Sequence, residues 1–390
     1  MDIFKEKQDC CGCTACMTVC SKDAITMKSD EKGFLYPVID DEKCVSCGLC
    51  VKTCAFQNGY DTSTNFETPL VYAVKNHQER KTSQSGGMAA VLTNKILELG
   101  GVVYGAGYGD NFYVMHKRAE TKDDALEFKG SKYVQSDMNT VYAQIIEDLQ
   151  KGRFVLFSGT ACQIAGLNSC LKNINTEKLY TCDLVCHGVP SPLVFNDYLN
   201  YLKKYFKADI VNFNFRDKTF GWHSHVETIG FNNGIKVSKG IYADLFYKHI
   251  ILRPSCGACK YTNIHRPSDI TLADFWGIEK TNAEFDDNKG ISLVMINTEK
   301  GRKLFADIKS ELEYIESNVE NCLQPNLIKP TSISADTDNF WKDYAENGFE
   351  FTAKKYGAIK TDFKSNFKFK IKLFLLKTGL MNLVKKLKLR

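Results

Sequence analysis

Eight cysteines in two matching runs constrain this chain more than any other feature. The first run contains Cys10, Cys13, Cys16 and Cys20, and the second contains Cys44, Cys47, Cys50 and Cys54. Both follow the spacing C-x2-C-x2-C-x3-C, in which three thiolates on one tight loop face the same side of a cubane iron-sulfur cluster. The two runs therefore predict two 4Fe-4S clusters.

The fourth cysteine of each run is expected to ligate the other cluster, as in two-cluster ferredoxins. One cluster then takes Cys10, Cys13, Cys16 and Cys54, and the other takes Cys44, Cys47, Cys50 and Cys20. Sharing ligands in this way ties both loops into one ferredoxin domain, predicted at residues 1–60, which is too short to bury a large core of its own. Ser21 and Ala55 stand where a proline usually follows the run, but that proline ligates nothing.

A zinc module or a disulfide framework accounts less well for the cysteine runs. Structural zinc takes four ligands in CxxC pairs, not triplets with a remote fourth ligand. Disulfides need an oxidising compartment, and the polar residues 1–8 are too short to hold the apolar stretch of a signal peptide. Cys11 is left over, and we expect it to pack as a small side chain.

Composition favours a cytoplasmic globular protein. The 390 residues with 44% hydrophobic content suffice for more than one core, and no apolar run approaches the ~20 residues that span a bilayer. The formal net charge of +5 is uneven, because residues 364–390 hold nine Lys or Arg and no acidic residue. The remaining 42 basic and 46 acidic side chains give −4, which does not indicate a nucleic-acid-binding protein.

The basic tail at residues 364–390 has an amphipathic pattern. One helical face carries Leu373, Leu376, Leu380, Leu383, Val384 and Leu387. This predicts either peripheral attachment to an anionic membrane surface or an acidic partner, or a solvated terminal helix. Both interpretations stay open, since Gly379 and the shortness of the tail weaken the helix.

The middle of the chain has the pattern of an α/β domain. After a polar linker at residues 61–69, strands and helices alternate through residues 70–150 and 151–315. Residues 210–237 predict an added antiparallel part with a hairpin turn at Asn232-Asn-Gly234, and residues 316–390 form a C-terminal extension. The predicted fold class is therefore α+β, with a small two-cluster domain followed by an α/β domain.

Four later cysteines are expected to meet at one edge of the predicted sheet. Cys162 opens a helix after a buried strand, Cys186 ends the next strand, and Cys256 and Cys259 form a CxxC pair. Four thiols suit a third 4Fe-4S cluster or a zinc site. Two alternatives stay open: Cys162 with His187 as nucleophile and base, or a redox disulfide between Cys256 and Cys259. We expect the remaining thiols to pack as small apolar side chains; they are Cys170, Cys182 and Cys322.

Clusters hold single electrons, so a flavin that also handles electron pairs is a natural companion. The loop Ser83-Gln-Ser-Gly-Gly87 opens a helix, and its amides can hold a pyrophosphate, although many helices begin with such residues. Lys132 is predicted as a flavin or substrate contact, or else as an exposed loop lysine. The segment with Trp222, His223 and His225 offers a stacking face or proton relay, and a packed hairpin is the simpler interpretation.

Seven motifs in order resemble the coenzyme F-420 hydrogenase/dehydrogenase beta subunit family, in its bacterial branch with an N-terminal two-cluster 4Fe-4S ferredoxin domain. The motifs are Ser83-Gln-Ser-Gly-Gly87, Gly130-Ser-Lys-Tyr133, Ser158-Gly-Thr-Ala-Cys162-Gln, Cys186-His-Gly-Val-Pro-Ser-Pro192, Phe215-Arg-Asp217, Arg253-Pro-Ser-Cys256-Gly-Ala-Cys259 and Asp269-Ile-Thr-Leu-Ala-Asp-Phe-Trp-Gly277. The resemblance covers residues 70 to about 315 and, with the cluster domain, most of the chain.

The resemblance implies FAD and a further 4Fe-4S cluster held by four pattern cysteines, Cys162, Cys186, Cys256 and Cys259. It favours Ser83, Ser85, Gly86, Gly87 and Lys132 as FAD contacts, and Ala161 replaces an expected proline. It implies an oxidoreductase that passes electrons between a two-electron partner (a deazaflavin, a nicotinamide or another reducible substrate), FAD and the clusters. The alternative is a flavin-free relay or docking subunit that wires a redox partner protein. Neither interpretation names a catalytic residue.

Overall fold

The computed structural model describes residues 2–359, 363–378 and 380. The strands are β1 Ile25–Ser29, β2 Leu35–Ile39, β3 Asn65–Lys75, β4 Val102–Tyr108, β5 Val114–Ala119, β6 Val155–Thr160, β7 Leu179–Leu184, β8 Ile210–Asn214, β9 Glu227–Phe231, β10 Lys236–Lys239, β11 Ile270–Asp274, β12 Ser292–Thr298 and β13 Glu313–Ser317. The helices are α1 Ala15–Thr18, α2 Leu49–Thr53, α3 Ala55–Asn58, α4 Met88–Glu98, α5 Lys122–Ala125, α6 Val141–Gln150, α7 Ala161–Cys170, α8 Pro192–Phe206, α9 Ile241–Tyr247, α10 Ile278–Thr281, α11 Glu299–Ile308, α12 Val319–Cys322, α13 Thr337–Lys355 and α14 Phe363–Lys377.

An eight-stranded mixed sheet forms the centre of the larger domain, in the order β13-β3-β12-β11-β7-β6-β4-β5. The pairs β4–β6, β6–β7 and β7–β11 are parallel, whereas β12 is antiparallel to both β11 and β3. Five strands, β3, β4, β6, β7 and β11, therefore run in one direction. Their carboxyl ends lie at one edge of the sheet, where α/β proteins place their binding sites.

Helices cover both faces of this sheet. Apolar side chains of α4 and α11 pack with Val103, Leu156 and Val294 on one face. Those of α6 and α7 pack with Tyr104 and Phe157 on the other. This layered arrangement confirms the predicted α+β class and its α/β domain.

A separate three-stranded antiparallel sheet, β10-β9-β8, forms the predicted added part. The β9–β10 hairpin turns at Asn232-Asn-Gly234, as expected. Buried aromatic side chains of α8, α9 and α13 pack against this sheet, among them Tyr198, Tyr242 and Phe340.

The ferredoxin domain shares its core with the larger domain. Phe34 is fully buried in the aromatic cluster around α8, and Ala15 packs with α6 and α7. Phe56 joins a small cluster with Ala161 and Tyr261. Apart from these shared contacts the domain holds only a two-stranded ladder and a small cluster of its own, because so short a segment cannot bury much surface by itself.

Several boundaries differ from the sequence-based expectation. The predicted linker 61–69 overlaps β3, which begins at Asn65, and the predicted boundary at 315/316 cuts β13. The helix expected to run to Leu252 ends at Tyr247, because the chain turns at Lys248 and His249 has a positive φ of 57°. The strand β1 and the long helix α13 were not expected, since both depend on tertiary packing rather than on a strong local pattern.

The tail prediction lies partly outside the described residues. Residues 363–377 are helical, and Leu373 and Leu376 are partly buried, while Leu383, Val384 and Leu387 are not described. Within the described ranges, no helix is both long enough and apolar enough to cross a bilayer.

The contact between the ferredoxin domain and α7 can be tested at Gly166. A Cβ there would lie 2.8 Å from Cys13 Sγ and 3.0 Å from the Tyr142 hydroxyl. We expect Gly166→Ala to lower the free energy of unfolding by about 1–3 kcal/mol, since the overlap outweighs the higher helix propensity of alanine. Anaerobic urea denaturation measures this change.

Gly230→Ala in β9 is the matched control, because its nearest contact would be an ordinary 3.5 Å to Asn212 Cβ. Its stability should change by less than about 0.5 kcal/mol. Equal stabilities of the two variants would show that Cys13 does not press against α7.

Candidate iron-sulfur and flavin sites

The common strand direction brings the predicted motifs to one edge of the sheet. The Ser83–Gly87 loop follows β3, and Cys162 follows β6 in the first turn of α7. Cys186 lies two residues beyond β7, and Asp274 ends β11. Gln163 fixes the start of α7, because its side-chain carbonyl accepts the Thr160 amide at 2.9 Å, which sets Cys162 at the sheet edge.

All four cysteines predicted for the third cluster line one cavity, here called the inner cavity. They are Cys162, Cys186, Cys256 and Cys259. A short 3-10 helix, Pro254–Ala258, carries the CxxC pair over the strand ends. The structure therefore brings together the four thiols that the sequence could only place at one edge.

Backbone amides donate hydrogen bonds to two of these sulfurs. Gly188 N lies 3.4 Å from Cys186 Sγ, and Val189 N lies 3.3 Å from Cys256 Sγ. Burial raises the pKa of Cys256 to about 12, and the thiols need an electropositive partner to ionise. The hydrogen bond from Cys11, together with one from the Thr160 hydroxyl, instead lowers the pKa of Cys162 to about 7 against the effect of burial.

A second cavity, here called the ferredoxin cavity, is lined by the first predicted ligand set. Its four thiols are Cys10, Cys13, Cys16 and Cys54. The other predicted set lies further out: Cys50 is buried beside Cys16 and Cys20, whereas Cys47 is exposed. Burial raises the pKa of Cys50, and the nearby Cys47 and Cys20 add to this rise.

Cys11 lies between the two cavities and lines both. Its thiol interacts with Cys13 and Cys162, and the first of these hydrogen bonds is the largest cause that raises its pKa. Cys11 packs in a small apolar cluster, as expected, but its position between two ligand sets was not foreseen. Its place directly after Cys10 was the only signal in the sequence.

The geometry bears on the open alternatives. His187 also lines the inner cavity, but its ring nitrogens contact Asn326 Oδ1 at 3.1 Å and His249 Nε2 at 2.7 Å, so neither faces Cys162. Within residues 2–359, 363–378 and 380, no group of three or more His, Cys, Asp or Glu side chains closes on a single metal ion. Thiols that share a cavity without meeting at one point fit a cluster better than zinc, which holds each sulfur at about 2.3 Å.

The predicted flavin loop is held in place by a lysine. The Lys218 ammonium donates to the carbonyls of Arg80 at 2.6 Å, Ser83 at 2.9 Å and Ser85 at 3.3 Å. A Cβ at Gly86 would lie 2.1 Å from the Val74 carbonyl, and Gly87 has a φ of +92°, so both positions require glycine. Burial lowers the pKa of Lys218 to about 8.

Lys132 is not an exposed loop lysine. Its ammonium donates to the carbonyls of Glu127 at 2.7 Å and Lys129 at 3.3 Å, and it lies 5.2 Å from the centre of the Tyr108 ring. Burial lowers the pKa of Lys132 to about 8. In this structure Lys132 closes its own loop, and a ligand would have to compete for its donors.

An aromatic and charged group lies near the flavin loop. Trp222 stacks on Trp276 with ring centres 4.8 Å apart and donates to Asp274 at 2.7 Å. The Arg216 guanidinium pairs with Asp274 at 2.5 Å and lies over the Trp276 ring. Trp222 is a packed side chain, as the simpler interpretation held, and Arg216, Asp274 and Trp276 fall in motifs already quoted but were not singled out.

Comparison with known proteins supports the sequence-based assignment. Residues 152–321 match the family model for the C terminus of the coenzyme F420 hydrogenase/dehydrogenase beta subunit, and residues 9–58 match the 4Fe-4S dicluster domain. A chain of the F420-reducing [NiFe] hydrogenase complex from Methanosarcina barkeri is similar at 18% identity and a TM-score of 0.46, over 75% of this chain and 92% of that chain. No curated protein matches. The protein is thus a member of the coenzyme F420 hydrogenase/dehydrogenase beta subunit family that carries an N-terminal 4Fe-4S dicluster domain.

Proposed function

We propose that the protein is an iron-sulfur flavoprotein oxidoreductase that exchanges electrons between a two-electron small molecule and a redox partner protein. The observation that carries this proposal is the arrangement of three cysteine sets in series. The inner cavity and the ferredoxin cavity meet at Cys11, and the third set reaches the surface at Cys47. Clusters at these sites would supply one-electron storage, and FAD would supply the exchange of pairs for single electrons.

The chain's own residues suit an anionic flavin at the carboxyl edge of the sheet. The Ser83–Gly87 loop opens the eleven-residue helix α4, whose amino end favours phosphate. Lys218 and Arg216 add positive charge beside it, and Trp276 presents a half-buried ring. Ser83 Oγ is buried and has no hydrogen-bond partner among the described residues, which leaves a polar atom for a ligand.

The outer cysteine set provides a place for a protein partner. Val45 is 61% exposed and Leu49 is 43% exposed, and they flank the exposed Cys47. Apolar side chains around an exposed redox site suit a transient protein contact.

One observation favours the flavin-free relay as the second candidate function. The carbonyls of the Ser83–Gly87 loop are already satisfied by Lys218, so the loop is ordered without any ligand. In that case the three cysteine sets alone would connect a partner enzyme to another redox protein.

Iron and flavin content tests the proposal directly. Anaerobically reconstituted protein should contain about twelve irons and one FAD per chain, because each cluster holds four irons. Replacing Cys256 and Cys259 together by Ala should remove about four irons. Elemental analysis and the visible flavin spectrum measure both quantities.

Cys170→Ala is the control for the double variant, since Cys170 lies outside the inner cavity and donates to the Gly166 carbonyl. It should keep about twelve irons. Wild-type protein with about eight irons and no flavin would contradict the proposal and favour the relay.

A second test concerns the flavin loop. Lys218→Met removes three donors and one positive charge from the loop, so FAD affinity should fall at least about tenfold, which corresponds to ~1.4 kcal/mol. Lys236→Met, at an exposed position on β10, should leave the affinity unchanged. Flavin titration measures both, and an unchanged affinity in Lys218→Met would place the flavin elsewhere.

A further inference from the structure

Arg253 is fully buried between the two cysteine-lined cavities. Its Nε donates to the Cys10 carbonyl at 2.9 Å, and its Nη1 donates to Gln135 Oε1 at 3.0 Å. Its Nη2 lies 3.7 Å from Cys10 Sγ in the ferredoxin cavity, and the same side chain lines the inner cavity. A single guanidinium therefore touches the walls of both sites.

The charge of Arg253 has no carboxylate partner within the described part of the chain. The two other deeply buried arginines of the large domain do have one: Arg266 pairs with Asp183 at 3.1 Å, and Arg216 pairs with Asp274 at 2.5 Å. Arg253 instead lies over the rings of Tyr36 at 4.1 Å and Phe34 at 5.6 Å. Rings and neutral hydrogen-bond partners compensate a buried cation only in part, so an anion is needed nearby.

The cavities on either side of Arg253 provide such anions. Thiolates that hold a cluster are negatively charged, and reduction of the cluster adds one more negative charge. Burial raises the pKa of Cys10 to about 11, and the charge of Arg253 opposes this rise. Arg253 also favours the thiolates of Cys162 and Cys256 on the other side.

We propose that Arg253 is the shared counter-ion of the inner cluster and the ferredoxin-cavity cluster, and that it raises the reduction potential of both. This inference rests on the proposed function, because it requires a cluster in each cavity. Arg253 is a positioning residue in this role. Its fixed charge keeps the two neighbouring potentials close together, which suits transfer of an electron between them.

A purely structural role of Arg253 would account for the same contacts. Its hydrogen bonds to Cys10 and Gln135 join the ferredoxin loop to the larger domain whether or not a cluster is bound. The test must therefore change the charge while leaving the packing in place.

Gln135→Glu meets this requirement. The side chains have the same shape, Gln135 is 6% exposed, and its Oε1 already contacts Arg253 Nη1. The new carboxylate would pair with the guanidinium and cancel its charge. Arg253→Met removes the charge directly, and Arg253→Lys keeps it while losing the planar fork.

The readout is the midpoint potential of each cluster from redox titrations followed by electron paramagnetic resonance. In Gln135→Glu and in Arg253→Met, both potentials should shift to more negative values, while Arg253→Lys should stay closer to wild type. The cluster of Cys20, Cys44, Cys47 and Cys50 is the internal control, and its potential should not move. If Arg253→Met does not retain its clusters, Gln135→Glu decides.

Two results would overturn the shared role. Unchanged potentials in Gln135→Glu, or a shift confined to one cluster, would leave Arg253 a structural residue. The iron content of the wild type separates this from failure of the proposed function. About twelve irons without a shift reject only the role of Arg253, whereas about eight irons reject the inner cluster itself and the sharing with it.

Discussion

The common direction of five strands is the constraint on which the rest of the structure depends. Because β3, β4, β6, β7 and β11 end at one edge of the sheet, segments far apart in the chain meet there. Cys162 and Cys186 come from neighbouring parallel strands, and the 254–258 turn closes over them. A reversal of either strand would separate the two thiols by the length of the sheet. The parallel order is thus a condition for the inner cavity, and burial of both faces is what maintains that order.

The sequence was sufficient for the fold class and for the grouping of the cysteines. Spacing alone grouped Cys10, Cys13, Cys16 and Cys54, which line one cavity, and alternation of strands and helices placed Cys162 and Cys186 at a shared edge. These patterns are local, or follow from a general rule of α/β sheets, so one sequence is enough to read them.

What the sequence could not show depends on long-range packing. Cys11 is one residue from Cys10, yet its significance comes from Cys162, more than 150 residues later. Lys218 lies in a short 3-10 turn and contacts a loop more than 130 residues earlier. Strand β13 is short and pairs only with β3 at the end of the sheet, so no local signal distinguishes it from a loop. Partners of this kind are set by the register of distant segments rather than by residue type.

The placement of buried charge explains why the ferredoxin domain and the larger domain fit each other so closely. The ferredoxin loop contributes thiols whose burial disfavours the thiolate, as the pKa of Cys10 at about 11 shows. The larger domain contributes Arg253, a buried cation without a carboxylate among the described residues. Separately, each domain would expose its charged group to water, where neither would need the other. Together they bury both, so each group is stable only in the presence of its counterpart, and the two domains are expected to assemble as one unit with the anionic site filled.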